Sequence, residues 1–107
     1  MSAYGDAQLD ALGDPMRRAI LARLRNGPLP VGELAGGLPV SRPAVSQHLR
    51  VLKEAQLVLD QPAGNRRLYR LNPAGFASLH EYLDQFWSQA LTAFATEVEK
   101  RAKKELQ

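Results

Sequence analysis

The sequence predicts a mainly α fold of about five helices carrying one two-stranded β-hairpin, as a single domain over residues 1–107. Three observations predict it. Apolar side chains recur at helical spacing in segments separated by Gly- and Pro-containing breaks. Residues 57–71 instead alternate apolar and polar side chains around Pro62-Ala63-Gly64-Asn65, which is turn chemistry. A chain of 107 residues with 45% hydrophobic content suits one small domain with a limited core, which dimerisation would help to stabilise.

The elements follow in order. Asp6 to Leu12 offers Ala7, Leu9, Ala11 and Leu12 as a short first helix, broken by Gly13. Asp14 can cap the second helix, with Pro15 at its first position, where a missing N–H costs nothing. Met16, Ile20, Leu21 and Leu24 form one apolar stripe, and Asn26-Gly27-Pro28 stops it. Val31, Leu34, Ala35 and Leu38 make a brief third helix ending around Gly36-Gly37-Leu38-Pro39. Ser41 is the N-cap of the fourth helix, which tolerates Pro43 in its first turn. At about 100° per residue, Val45, Leu49 and Leu52 fall within about 60° of one another and face the core. Arg42, Ser46, Gln47, Arg50 and Lys53 share the opposite arc, and His48 flanks the apolar stripe.

Leu57 to Gln61 and Arg67 to Leu71 are the strand candidates, with Asn65, Arg66 and Arg67 at the hairpin tip. Asn72-Pro73 opens the last helix, read to residue 103. Phe76, Leu79, Leu83, Phe86, Ala90, Phe94 and Val98 follow three/four spacing along it, and Trp87 and Leu91 widen the stripe. So long an apolar face exceeds what a small domain can cover alone, which predicts a dimer through this helix and the first. The interface candidates are Leu9, Leu79, Leu83, Phe86, Trp87, Ala90 and Phe94. Lys100 to Gln107 is polar and is expected to fray.

Charge is unevenly placed. The chain carries a net +3, but residues 41–72 alone carry +4 from Arg42, Arg50, Lys53, Arg66, Arg67 and Arg70 against Glu54 and Asp60. Positive charge focused on one helix and an adjacent hairpin suits phosphate binding. A short apolar helix, a turn, a capped helix with a polar and basic outer arc, and then a basic hairpin form the order of a winged helix-turn-helix. The helix-turn-helix occupies 31–55 and the wing 57–71. Such an arrangement puts one helix in the major groove of double-stranded DNA and the wing on the backbone or in the minor groove. Arg42, Ser46 and Gln47 are the expected base readers, since Gln pairs bidentately with adenine and Arg with guanine. Ser41, Arg50, Lys53, Arg66 and Arg67 are the expected phosphate contacts, with Pro43, His48 and Asn65 also at the DNA surface.

These motifs resemble the ArsR-type family of bacterial winged-helix repressors. ALGDPMRRAILARL at 11–24 looks like the family's N-terminal signature, VGELAGGLPVSRPAVSQHLRVLKEAQLV at 31–58 is similar to its helix-turn-helix, and GNRRLYRLN at 64–72 looks like its wing. The resemblance implies a symmetric dimer that represses transcription from an imperfect palindromic operator. Many members sense metals through cysteines on the third helix or through His and carboxylates on the last. Here the third helix begins Val31-Gly32-Glu33, and the last offers His80, Glu81 and Asp84 without a second His. The chain therefore resembles the branch without an evident metal site, and its small-molecule effector is unknown. Gln56 stands where the family usually has glycine after the recognition helix.

Several classes fare poorly. With no cysteine, disulfides and thiolate metal sites are excluded. No window approaches the ~18 consecutive apolar residues of a membrane span. The N-terminus lacks the basic start and apolar run of a signal peptide, so a cytoplasmic location is expected. No Gly-rich phosphate loop or metal-ligand cluster supports an enzyme, and neither a cofactor nor a metal is expected. His80 with Asp84 is better read as a polar helix face, and Trp87 and Tyr82 as packing rather than a ligand pocket. Arg17 and Arg18 read equally as phosphate contacts or helix surface. A ligand- or metal-gated sensor of the same fold and a winged-helix protein-interaction module are the competing readings. The second conflicts with the basic arc of the fourth helix, because protein interfaces deplete Lys and favour apolar anchors.

Overall fold

Two short helices begin the chain, and polar side chains fix the angle between them. The computed structural model describes residues 3–106; residues 1, 2 and 107 of the expected domain lie outside the described residues. Helix α1 spans Ala3–Leu12, somewhat earlier than the apolar spacing indicated, and α2 spans Pro15–Arg23. Asp14 Oδ1 accepts from the backbone N–H groups of Met16 (2.7 Å) and Arg17 (3.2 Å), capping α2. The Arg17 N–H, with that of Met16, holds the Asp14 carboxyl below its ordinary range against an opposing effect of burial. Arg17 Nε then donates to Ala11 O and Arg18 Nη1 to Leu12 O, both at 2.6 Å. The two arginines therefore satisfy carbonyls that the end of α1 leaves open. Asp14, Arg17 and Arg18 together form one joint between the helices.

A 3₁₀ turn, Leu24–Asn26, leads through Gly27 to a strand the sequence did not reveal, β1, Leu29–Pro30. Two residues are too few to show a period. Helix α3, Val31–Gly36, stops short of Leu38, and α4 spans Arg42–Glu54. The wing strands are β2, Val58–Ala63, and β3, Arg66–Leu71. The sheet is antiparallel with three strands in the order β1-β3-β2. Pro62 and Ala63, read as turn residues, instead pair with Arg67 and Arg66. Strand β2 is an edge, where Pro62 can lack an N–H without breaking the ladder. The turn is only Gly64-Asn65, and Gly64 supplies the positive φ (65°) that a two-residue hairpin demands at its first central position.

The core gathers Ile20, Leu21 and Leu24 of the second helical region, Leu34 of α3, Val45, Leu49 and Leu52 of α4, then Leu57, Val58 and Leu79. At about 1.5–3 kcal/mol per fully buried aliphatic side chain, this cluster is the principal favourable term in the fold. Helix α5, Pro73–Leu106, leaves it. Its first turns pack inward through Phe76, Leu79 and Tyr82, whose hydroxyl donates to Asp6 on α1. A Cβ on Gly5 would overlap the Tyr82 ring, so the glycine lets α1 lie close to α5. Beyond Tyr82 every described residue of α5 is exposed. At 1.5 Å per residue the helix is about 50 Å long, and it stays helical through the polar end where fraying was expected. The radius of gyration is 19.5 Å, whereas a compact chain of this length has about 13 Å.

Candidate nucleic-acid interface

Helix α4 is held from beneath and presented from above. Ser41 Oγ accepts from Ala44 N at 3.2 Å and so caps its N-terminus. Val45, Leu49 and Leu52 are completely buried against the core, while Ser41, Arg42, Pro43, Ser46, Gln47, Arg50 and Lys53 are exposed. The described structure therefore brings the expected reading residues onto one solvent-facing arc. His48 is half-buried on the flank, within electrostatic reach of Asp14 at the α2 cap.

The far end of α4 is equally well defined. Gln56 N donates to Lys53 O (3.0 Å) and Leu57 N to Leu52 O (2.9 Å), the paired bonds of a Schellman cap. Gln56 takes φ 65°, the left-handed conformation that glycine adopts without steric cost. The local turn is thus the one a glycine would make, with a glutamine holding it. Asn72 Nδ2 donates to Gln56 O at 2.9 Å, and Asn72 Oδ1 accepts from Ala74 N at 3.2 Å, capping α5. Gly75 lies so close that a Cβ there would overlap the Gln56 carbonyl oxygen. The end of α4 and the start of α5 are therefore one rigid joint.

Strand alternation sorts the wing cations in a way that the bare sequence reading did not. In register, Val58, Asp60, Arg67, Tyr69 and Leu71 share the inner face, and Arg66, Leu68 and Arg70 the outer one. Asp60, its side chain only 7% exposed, receives Lys53 Nζ at 2.8 Å and Arg67 Nε at 2.7 Å. The hydrogen bonds from Lys53 and then Arg67 hold the Asp60 carboxyl below its ordinary range, and Asp60 in turn raises Arg67. Lys53 and Arg67, expected on phosphate, are thus engaged within the protein and tie α4 to the wing. Arg66 remains exposed, with Glu33 of α3 4.0 Å away, and Arg50 has an exposed partner in Glu54 at 3.4 Å. Such exposed pairs are weak and leave both arginines available to a stronger anion. Asn65 is exposed in the turn. Arg70, also exposed, joins Arg66 on the outer face. Its place was visible in the Arg66-Leu68-Arg70 alternation, but it was not among the site candidates.

The expected interface residues divide. Leu79 is 6% exposed and belongs to the protomer's own core, so it is withdrawn from the interface set. Leu9, Leu83, Phe86, Trp87, Ala90 and Phe94 are exposed, and Leu91 and Val98 extend the stripe. Tyr82 is buried against α1 and meets Phe86 edge-on at 5.2 Å between ring centroids. Arg17 and Arg18 serve the α1–α2 joint. Among the described residues no three His or carboxylate side chains gather as metal ligands, and no helix is long and apolar enough to cross a membrane.

A sequence model of a helix-turn-helix domain matches residues 12–61. The HTH-type transcriptional regulator Rv2034 of Mycobacterium tuberculosis is 61% identical over 97 residues, covering 89% of this chain and 91% of that protein. The transcriptional repressor SdpR of Bacillus subtilis is 39% identical over 62 residues, covering 58% of this chain and 69% of that protein. Among solved structures, an ArsR-like transcriptional regulator from Rhodococcus sp. RHA1 superposes with a TM-score of 0.74 at 30% identity, covering 86% of this chain and 90% of that one. With the capped helix α4, the three-stranded sheet and the projecting last helix all in place, this chain belongs to the ArsR family of winged helix-turn-helix transcriptional regulators.

Proposed function

We propose that this chain is a homodimeric repressor that binds an imperfectly palindromic operator and blocks promoter access. The observation that carries the reading is the division of α4, with Val45, Leu49 and Leu52 wholly buried and Arg42, Ser46, Gln47 and Arg50 exposed opposite them. In this reading Arg42, Ser46 and Gln47 contact base edges, while Ser41 and Arg50 hold phosphates. Arg66 and Arg70 place the outer face of the wing on the backbone or in the minor groove. The exposed stripe from Leu83 to Val98, with Leu9, is the surface through which two protomers join. Two reading helices related by a twofold axis reach successive major grooves about 34 Å apart. Repression is supported by the likeness to the Bacillus subtilis transcriptional repressor.

Selection of bound duplexes from a random DNA pool tests the proposal. The expected result is a recovered inverted repeat with half-sites about one helical turn apart. Recovery of no preferred sequence, or of a half-site without a repeat, overturns it.

A further inference from the structure

A cavity of mixed polar and apolar lining lies over the joint between α1, the end of α4 and the start of α5. It measures about 260 Å³ and is lined by Gln8, Gln56, Asn72, Ala74, Gly75 and Ser78. Gln8 and Asn72 are buried, whereas Gln56 and Ala74 are exposed at its mouth. The lining carries no charged side chain. Among the described residues Gln8 is fully buried, and neither its Oε1 nor its Nε2 has a hydrogen-bond partner. A buried amide with both ends unmade is costly and favours any occupant able to satisfy it. The space is well above that of a single water and is enough for a small organic molecule.

From this geometry we infer that the cavity is a binding site for a small neutral molecule bearing a carboxamide-type group, which occupies the joint and modulates DNA binding. The chemistry follows from Gln8. Its unmatched donor and acceptor are complementary to a group that presents an acceptor beside a donor, as a primary amide does. An uncharged lining gives an anion or cation nothing to offset its loss of hydration. In the state described, the Gln8 amide is shielded, and contact with an occupant requires it to turn toward the cavity. The regulatory consequence follows from Asn72, which lines the same cavity, bonds Gln56 O at the end of α4 and caps α5. An occupant that favours one setting of this joint shifts the reading helix relative to the dimerisation helix, and DNA then changes the occupant's affinity by the same factor. This second step rests on the DNA-binding reading above; the site itself does not.

The test uses acetamide as the probe, with acetate as its charged isostere. In the full-length protein, acetamide is expected to shift the side-chain amide NMR signals of Gln8 and Asn72 saturably, and acetate to leave them unchanged. Gln8→Met, which keeps length and volume but removes both polar atoms, is expected to fold and to lose the saturable response. At saturating acetamide, affinity for a selected duplex is expected to change at least threefold in the wild type and less than that in Gln8→Met, which controls for solvent effects. Absence of a saturable shift, an equal response in Gln8→Met, or a long-lived water on Gln8 that acetamide does not displace overturns the site. Saturable binding with unchanged DNA affinity overturns the regulatory step alone. Failure to bind any selected duplex refutes the DNA-binding reading and leaves the cavity result standing.

Discussion

Trp87 offers the sharpest test of how this fold is completed. It is 66% exposed on the stripe of α5 and is the chain's only tryptophan. A tryptophan side chain can bury up to about 250 Å², so roughly 160 Å² of apolar surface stands open. If a partner covers half of it, about 25 cal/mol per Å² makes Trp87→Ala cost about 2 kcal/mol per protomer. The contact is made twice across a twofold axis, giving about 4 kcal/mol and close to a thousandfold weaker dimer. Dilution of the wild type from micromolar concentration should red-shift its emission as the indole returns to water. Sedimentation should show a dimer at micromolar concentration and mostly monomer for Trp87→Ala under the same conditions. Trp87 is chosen over Phe86 because the Phe86 ring also packs on Tyr82 within the protomer. A wild type that sediments as a monomer, or a Trp87→Ala dimer within threefold of wild-type affinity, would refute the assignment of this face.

The remaining predictions concern the DNA surface and its supports. Gln47→Ala and Arg42→Ala should each cost about 1–3 kcal/mol on the best operator and relax preference at particular bases. Arg66→Ala should weaken operator and scrambled duplexes alike and lower the salt slope by about one unit; equal losses on both duplexes for Gln47→Ala would show that α4 is not the reader. Asp60→Asn should release Lys53 and Arg67, raising affinity for scrambled DNA and steepening its salt dependence, and an unchanged salt slope would remove the case for the inner-face clamp. Because the folded state depresses the Asp60 pKa, its stabilisation is present above the ordinary value of 3.8 and is lost as pH falls below it through the folded value. Acid titration of unfolding in wild type and Asp60→Asn should therefore converge at the acid end and diverge above it. Gln56→Gly should stabilise by about 1 kcal/mol by relieving the left-handed backbone, raising Tm at fixed protein concentration, whereas a fall in Tm would assign the Gln56 side chain a contact of its own. Gly75→Ala should lower Tm sharply, since its Cβ meets backbone that cannot turn aside.

What the sequence determined by itself is local. The caps at Asp14 and Ser41, the tolerated Pro15 and Pro43, the apolar stripe of α4 and the long stripe of α5 were all readable. Helix spacing and capping depend on residues a few positions apart. The same holds for the exposed arc proposed to read DNA, which needs only the angle between Arg42, Ser46, Gln47 and Arg50. Strand β1 was hidden because two residues have no period and because its partner, β3, lies some forty positions away. Pairing register decided which wing cations are free: inner-face Arg67 meets Asp60 with Lys53, while Arg66 and Arg70 face outward. Leu79 and Leu83 looked alike in the stripe, and only the packing of α1 and the core separated a buried residue from an exposed one. The joint of Gln56, Asn72 and Gly75, and the cavity with the unpartnered Gln8 above it, also belong to tertiary structure. A hydrogen bond or a steric gap between distant segments exists only once they are brought together, and no local pattern records it.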